Sequence, residues 1–399
     1  MALENFSYPE DVRVRAEALE LVAHGYAVTV LAPRAQGQQR SEVVDGVRVK
    51  RYRLATPEGF AGIALEYALA WVQLSVRLAV ELARGAEVIH LHNPPDTLFA
   101  AAWLARLCGR LVVFDHHDLA PELYEQKFGP GWPATVLRWC ERRTMRAADV
   151  VLAANESHRL VAIERGGVDP ERVVVVRNGP RESTIVDQPV VRDGEIDDPR
   201  LCFVGALGAQ DGVRALPSVL ARLNAMGLQP NLTIVGDGPE VPLIRRLADE
   251  LGVLDQIVFT GRVAHHDVPA LIAGADVCVD VAPCSPLNHR STMIKIGEYL
   301  AAGRPVVTFE LQETRFTAGD CALYARDGDI EGYCELIARI CSDGSLRARL
   351  ARAGVERARE LTWEHSGQRL LHAYGLLTGA PRHERAASVE PEVRLEQGR

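Results

Sequence analysis

The residues best suited to chemistry fall in two places. His116-His117-Asp118 follows the apolar run Leu111–Phe114, so two imidazoles are expected at the carboxyl end of a strand. An imidazole there can steady developing positive charge, orient a substrate or manage a proton. Adjacent side chains leave an extended strand end in opposite directions, so one of the two faces a ligand, and His117 is taken as that one over His116. The second place is Asn288–Val307, NHRSTMIKIGEYLAAGRPVV. It reads as a loop ending near Ser291, a helix to Ala301, a cap at Gly303 and then a strand. The free N–H groups at that helix start suit a diphosphate. Arg290 and Lys295 would add positive charge beside them. A helix terminus contributes ~0.3–1 kcal/mol toward an anion. A unit charge pair at about 4 Å gives about 4 kcal/mol at an effective dielectric of about 20. Fixed cations are therefore the larger lever on a leaving group that gains negative charge. Two side chains keep a second reading. Glu298 either accepts from vicinal sugar hydroxyls or is a surface carboxylate on a scaffold helix. Lys295 either holds the anion or packs its stem and solvates its head.

Other polar groups point elsewhere. A metal site would draw on His90, His92, His116 and His117, but no Cys or carboxylate spacing supports one, so no metal is expected. Asp327-Gly328-Asp329 reads as a helix cap. Asn93-Pro94-Pro95-Asp96 reads as a loop fixing strand-to-helix geometry with Asp96 as N-cap, or as a shaper of the acceptor side. Glu122 and Glu125, after Pro121, read as a solvated helix face.

Alternating strands and helices must position these groups. Strands are expected at 26–31, 87–91, 111–114, 150–153 and 172–176, with 48–52 as an additional edge strand. Helices are expected at 12–23, 60–83, 97–107, 132–146 and 158–165. A second series of strands covers 201–204, 232–235, 257–260, 277–281 and 306–309. This is the pattern of an α/β protein with two doubly wound, Rossmann-like domains facing across a cleft. The expected division is 1–185, a linker at 186–199, a second domain at 200–360, a helix at 361–378 returning toward the first domain, and a disordered tail at 379–399. The first strand is nearly missing, because Met1–Leu3 runs straight into the Asn5–Pro9 loop.

Composition narrows the class. Asp plus Glu (53) exceeds Lys plus Arg (45), a net charge of -8, so no global footprint for nucleic acid exists. Eight cysteines without a C-x-x-C pair suit buried, reduced thiols and a cytoplasmic setting. The first residues carry no cationic start followed by an apolar core, so no signal peptide is expected. The stretch 60–82 is interrupted by Glu66, Gln73, Arg77 and Glu81, which argues against a membrane span. Its Ile63, Tyr67, Trp71, Leu74 and Leu78 recur at helical spacing, as a face packed on a sheet or one touching lipid.

The run KIGEYLAAGRPVV resembles the nucleotide-sugar motif of family-4 retaining glycosyltransferases of GT-B fold. VVRNGP (175–180), IVGDGPE (234–240), FTGRV (259–263) and LTWEHS (361–366) stand in that family's order. NPPDTLF (93–99), VFDHHDLAPELYE (113–125), VGALGAQDG (204–212) and PLNHRSTMIKIGEYLAAG (286–303) are similar to a bacterial subgroup including aminosugar transferases of surface-polysaccharide assembly. The resemblance implies that Glu298 binds ribose hydroxyls and that amides around Thr292 and Met293 hold the diphosphate. It implies that Gly205 and Gly208 allow close backbone approach, with Gly236 on the same donor side. Arg262 and Val263 would lie beside the base, and His117 near the anomeric carbon. It also implies a UDP-sugar as substrate rather than a bound cofactor, a glycan or polyprenyl-linked acceptor, and peripheral membrane contact through the N-terminal domain.

The chain departs from the family in its cations. The wider family carries Arg and Lys beside the diphosphate where this chain has Ala206 and Asp211, and Glu where it has Arg290. Arg290 and Lys295 are the expected replacements. A nucleotide-sugar epimerase and a non-catalytic nucleotide-sugar binder are the other readings of the same plan.

Overall fold

A computed structural model describes residues 1–377 except Asn5, 55–58 and Pro95, with the helical backbone alone over 59–68. Ile63, Tyr67, Pro95 and the tail at 379–399 therefore lie outside the described side chains.

The first half carries β1 (Thr29–Pro33), β2 (Ser41–Val44), β3 (Val47–Tyr52), β4 (Val88–His92), β5 (Leu111–His116), β6 (Val150–Ala153) and β7 (Val173–Val175). They pair in the orders β1-β3-β2 and β4-β5-β6-β7. Ala2 joins the two groups by parallel bridges to Leu31 and Leu91. The link is made by backbone bonds, Ala2 N to His90 O at 2.9 Å and His92 N to Ala2 O at 3.0 Å. The short stub thus occupies the place of a first strand. The carboxyl ends of β1, β3, β4, β5, β6 and β7 lie along one edge, because all their pairings are parallel.

One expectation is corrected here. The strand at 47–52 is interior, between β1 and β2, and β2 is the edge, paired antiparallel. Asp45 (φ 51°) and Gly46 (φ 82°) make the left-handed two-residue turn that connects the pair. No residue of β2 is fully buried, and its sequence SEVV carries little apolar signal.

The second half has one six-stranded parallel sheet of β8 (Arg200–Val204), β9 (Asn231–Val235), β10 (Ile257–Gly261), β11 (Val277–Asp280), β12 (Val306–Phe309) and β13 (Ala322–Ala325). Its order is β10-β9-β8-β11-β12-β13. β13, four residues long with two alanines, is too short and weakly apolar to stand out in sequence. Helices cover both faces, and each fully buried Leu or Phe of the two cores stabilises by about 1.5–3 kcal/mol.

The helix Trp363–Leu377 crosses to the first half. Its Trp363, Leu370, Ala373 and Tyr374 pack against Val113, Val150, Leu152 and Val176. The junction beneath it leaves no spare room: a Cβ on Gly179 would lie 1.9 Å from the Leu361 carbonyl oxygen, and Trp363 N donates to Pro180 O at 2.8 Å. Gly179→Ala should therefore cost about 1–3 kcal/mol of unfolding free energy by overpacking. A lowered urea midpoint with unchanged slope is the expected reading.

Candidate active site

The site begins with a buried ion pair. Asp115, the penultimate residue of β5, is fully buried and accepts from Arg13 Nε at 2.8 Å and Nη2 at 2.6 Å. His117 Nδ1 donates to the same carboxylate at 2.8 Å, and His92 Nδ1 at 3.1 Å. Burial pushes the Asp115 carboxyl up, but Arg13 and His117 outweigh it and hold the group well below the usual carboxylate range. Burial opposes charge on His117 too, yet Asp115 outweighs it, and the imidazolium pKa rises to about 9. Burial and the neighbouring Asp115 push Glu17 up to about 8, so it is protonated at neutral pH. Burial keeps His90 and His92 neutral. The cluster therefore carries one net positive charge: Arg13 and His117 positive, Asp115 negative. His117 is its most open member, with 15 % of its side chain exposed against 4 % or less for Arg13, Asp115, Glu17, His90 and His92.

Asn93 sets the backbone that follows. Its Oδ1 accepts from His117 N at 2.8 Å and Asp118 N at 3.1 Å, and its Nδ2 donates to Asp118 O. His116 turns the other way, to Glu141 at 3.0 Å. The divergence expected of adjacent residues thus assigns one histidine to the core and one to the cleft. The four histidines do not converge. His90 and His92 instead lie with Glu17 and Asp115, one ligand-type atom from each within 4.8 Å of the others. The Arg13 guanidinium already binds both oxygens of Asp115 and lies 3.3 Å from Glu17.

On the second half, the helix Ile294–Ala301 starts at Met293 with no side-chain cap. Before it, the short helix Pro286–Arg290 inserts Leu287 into the apolar core of the first half. Asn155, just past β6, donates to Arg290 O at 2.7 Å and Thr292 Oγ1 at 3.0 Å. The loop carrying Arg290, Thr292 and Met293 is thereby held against the edge that carries His117.

Three glycines let backbones meet at the carboxyl ends of β8, β9 and β10. Gly205 (φ 152°) and Gly236 (φ 134°) sit in conformations that disfavour a side chain, and a Cβ on Gly236 would fall 2.0 Å from Gly205 O. Gly236 N donates to Gly261 O at 3.1 Å. Gly208 faces only the flexible Gln210 side chain, so backbone crowding does not demand glycine there. Arg262 is exposed after β10, and Val263 packs on the core beneath.

The two expected cations differ. Lys295 Nζ lies 3.1 Å from Asp280 and 3.8 Å from Asp211, with the Phe203 ring centroid at 4.3 Å. It is buried, and its charge is matched within the fold by these two carboxylates. A Cβ on Gly205 would nevertheless stand 3.3 Å from Nζ, so the ammonium borders the glycine turn. Arg290 keeps a side chain 43 % exposed and reaches across to Glu122 at 3.4 Å. Glu122 is buried, not solvated as its sequence context suggested, because Arg165 binds it at 2.6 Å and links it to Glu141. Glu298 is partly buried, and burial raises its carboxyl despite His265 and Lys295 nearby. Asp329 caps Gly332 N at 2.8 Å, the role read for it.

Arg13, Glu17 and Asn155 were missed, and Asn93 was read only as part of a geometry-fixing loop. An Arg on an amphipathic helix and a lone asparagine after a strand carry no local signal; the long-range pairings Arg13–Asp115 and Asn155–Thr292 reveal them.

Two facing Rossmann-like sheets with a capless helix start at their cleft define the GT-B class. Residues 11–179 match the glycosyl transferase 4-like domain and residues 198–343 the glycosyl transferases group 1 domain. The chain belongs to the GT-B glycosyltransferases built from these two domains. It is similar to an alpha-D-kanosaminyltransferase of Streptomyces kanamyceticus, 24% identical over 366 residues, 85% of this chain and 92% of the relative. The lipopolysaccharide core biosynthesis glycosyltransferase LpsE of Rhizobium meliloti is 30% identical over 184 residues, 46% of this chain and 50% of the relative. Anabaena Alr3699/HepE in complex with UDP-glucose shares the fold at TM-score 0.70 and 16% identity, over 94% of this chain and 98% of that one.

His117 holds its proton to about pH 9, whereas an unfolded histidine releases it near 6.5. The stability this provides is whole below about pH 6.5 and is lost as pH rises to about 9. The kcat profile should descend with a midpoint near 9, and His117→Gln should remove that limb and lower kcat about 100-fold. A steady-state pH series of both forms checks this.

Proposed function

We propose that this chain is a retaining glycosyltransferase that moves a hexosyl or aminosugar unit from a UDP-sugar to a glycan or lipid-linked acceptor of cell-surface glycoconjugate synthesis. The observation that carries this reading is the seam at Asn155, which brings the capless start of helix Ile294–Ala301 to the edge bearing the His117 imidazolium. In this reading the donor diphosphate lies at Thr292 and Met293 with the Gly205–Gly236 turn opposite. Glu298 accepts from the ribose hydroxyls, and its missing hydrogen-bond partner among the described residues fits that role. Arg262 and Val263 border the base.

The reaction then needs charge where the glycosidic bond breaks. Arg290 approaches the departing phosphate, with Glu122 as its resting partner, and His117 Nε2–H donates to an oxygen of the donor. Lys295 sets the Asp280–Asp211 floor rather than touching phosphate. The departing phosphate oxygen accepts the acceptor proton on the face it leaves, so the anomeric configuration is retained and no protein base is required. Docking of Leu287 into the first half excludes water, the competing acceptor. The cations are supplied by side chains, and the reading assigns no metal or cofactor. All eight cysteines are free, although Cys108 is exposed, which suits a reducing cytoplasm.

Membrane contact belongs to the same proposal. No described helix is long and apolar enough to cross a membrane. Helix Gly59–Ala83 buries Leu74 and Leu78 but exposes Leu69, Val72, Val76 and Val80, an apolar face suited to the inner membrane surface.

Incubation with UDP-, GDP- and dTDP-sugars, read by thermal shift and by NMR of the anomeric proton, tests the reading. A shift with UDP-sugars and transfer with retention are expected. Isomerised donor without transfer would establish an epimerase instead, and binding without turnover a non-catalytic binder. Glu298→Ala should raise the UDP-sugar Kd about 10- to 100-fold, the worth of charged hydrogen bonds of about 1.5–3 kcal/mol. Arg290→Ala should lower kcat more than it raises KM, as expected for a group acting on the departing charge.

A further inference from the structure

A cavity of about 450 Å³ lies away from the donor seam and is lined chiefly by Arg34, Arg40, Arg51, Arg53, Arg77 and Tyr52. No described carboxylate lines it. Arg51 is buried at its floor, fixed by Glu42 and by the Tyr8 and Gln39 carbonyls. Arg77 stands 5.4 Å from the Tyr52 ring centroid and donates to Gln73 O, and Arg34 donates to Gln38 O. Among these arginines only Arg51 is paired with a described carboxylate, and Arg34, Arg40, Arg53 and Arg77 form no ion pair with a described one. Four guanidinium groups without a described carboxylate partner around one hollow repel one another, and an anion with several oxygens relieves that repulsion through forked hydrogen bonds.

The position tells which anion is relevant. Pro33 ends β1 and Tyr52 ends β3, so Arg34 and Arg53 leave the sheet at the edge that carries His117. Along that edge the order is β3, β1, Ala2, β4, β5. Three to four strand spacings of about 4.8 Å separate the cavity from His117, roughly 14–19 Å. This is the acceptor half, and the distance exceeds the reach of one hexose.

We propose that this cavity binds a phosphate or diphosphate group carried by the acceptor, set back from the hydroxyl that receives the sugar. The inference rests on the glycosyltransferase reading above and narrows its acceptor to a phosphate-bearing glycan. The phosphate can belong to a soluble phosphoglycan or to a lipid-linked one.

The test uses the full chain saturated with UDP, so that the donor site is filled, and titrates inorganic pyrophosphate by calorimetry. Binding that weakens with salt is expected. Arg40→Glu with Arg53→Glu, both exposed, should lower pyrophosphate affinity at least about tenfold. UDP affinity and donor hydrolysis should stay unchanged, which also shows that the variant is folded. A parallel arm offers phosphatidylcholine vesicles doped with phosphatidic acid. Capture that the double variant loses assigns the phosphate to a lipid, and pyrophosphate binding without capture assigns it to a soluble acceptor. Wild-type protein that hydrolyses UDP-sugar yet binds neither probe overturns the proposal and leaves the donor reading standing. Protein that neither binds nor hydrolyses UDP-sugar overturns the donor reading itself.

Discussion

The pairing of Arg13 with Asp115 organises the edge of the first half that carries His117. A carboxylate taken from water loses several kcal/mol of hydration, and only a well-formed partner with further hydrogen bonds restores it. Arg13 supplies both, and its remaining Nη1 donors reach Val176 O at 2.8 Å and Asn178 Oδ1 at 2.9 Å. One guanidinium thus joins the helix Val12–Ala23, the end of β5 and the Asn178-Gly179-Pro180 turn. Because Asp115 stays ionised, His117 stays protonated, and its ring is held by Nδ1 while Nε2 remains for a ligand. Neutral Glu17 keeps a second negative charge out of the same space.

The second half achieves its site by the opposite means, through backbone rather than charge. Gly205, Gly236 and Gly261 bring three strand ends together, and at Gly236 a side chain would collide with the Gly205 carbonyl. The helix start at Met293 leaves its N–H groups to whatever docks there. Charge near this surface is balanced internally, with Lys295 between Asp280 and Asp211, whereas Arg290 is half-exposed. That cation belongs to the second half by sequence, yet its present partner, Glu122, belongs to the first. The ion chain His116–Glu141–Arg165–Glu122–Arg290 ties the position of one lobe to the electrostatics of the other.

Much of this was legible before any coordinates. Val150–Ala153 and Val306–Phe309 lie where their β-branched runs predict, and the helix Val12–Ala23 lies where it was expected. The opposite fates of His116 and His117 followed from strand geometry alone. Elements without periodicity escaped: β2, the short β13, and the helix Pro286–Arg290 inside what reads as a loop. Glu122 was misread because a helix face looks solvated until the Arg that covers it, 43 positions away in Arg165, is brought beside it.

Local order, strand alternation and the glycine-rich turns are written into neighbouring residues, because they depend on φ, ψ and on apolar period over a few positions. Which charges are free is not local. Lys295 and Arg290 stand five residues apart and look equivalent as a string of letters, but one is enclosed by Asp280 and Asp211 while the other spans the cleft. Five arginines scattered from position 34 to 77 become one cationic hollow only when β1, β3 and the following helix pack. Electrostatic partnership acts through space over a few ångströms, and the chain's path through space is settled by packing, so the balance of charge emerged only with the tertiary fold.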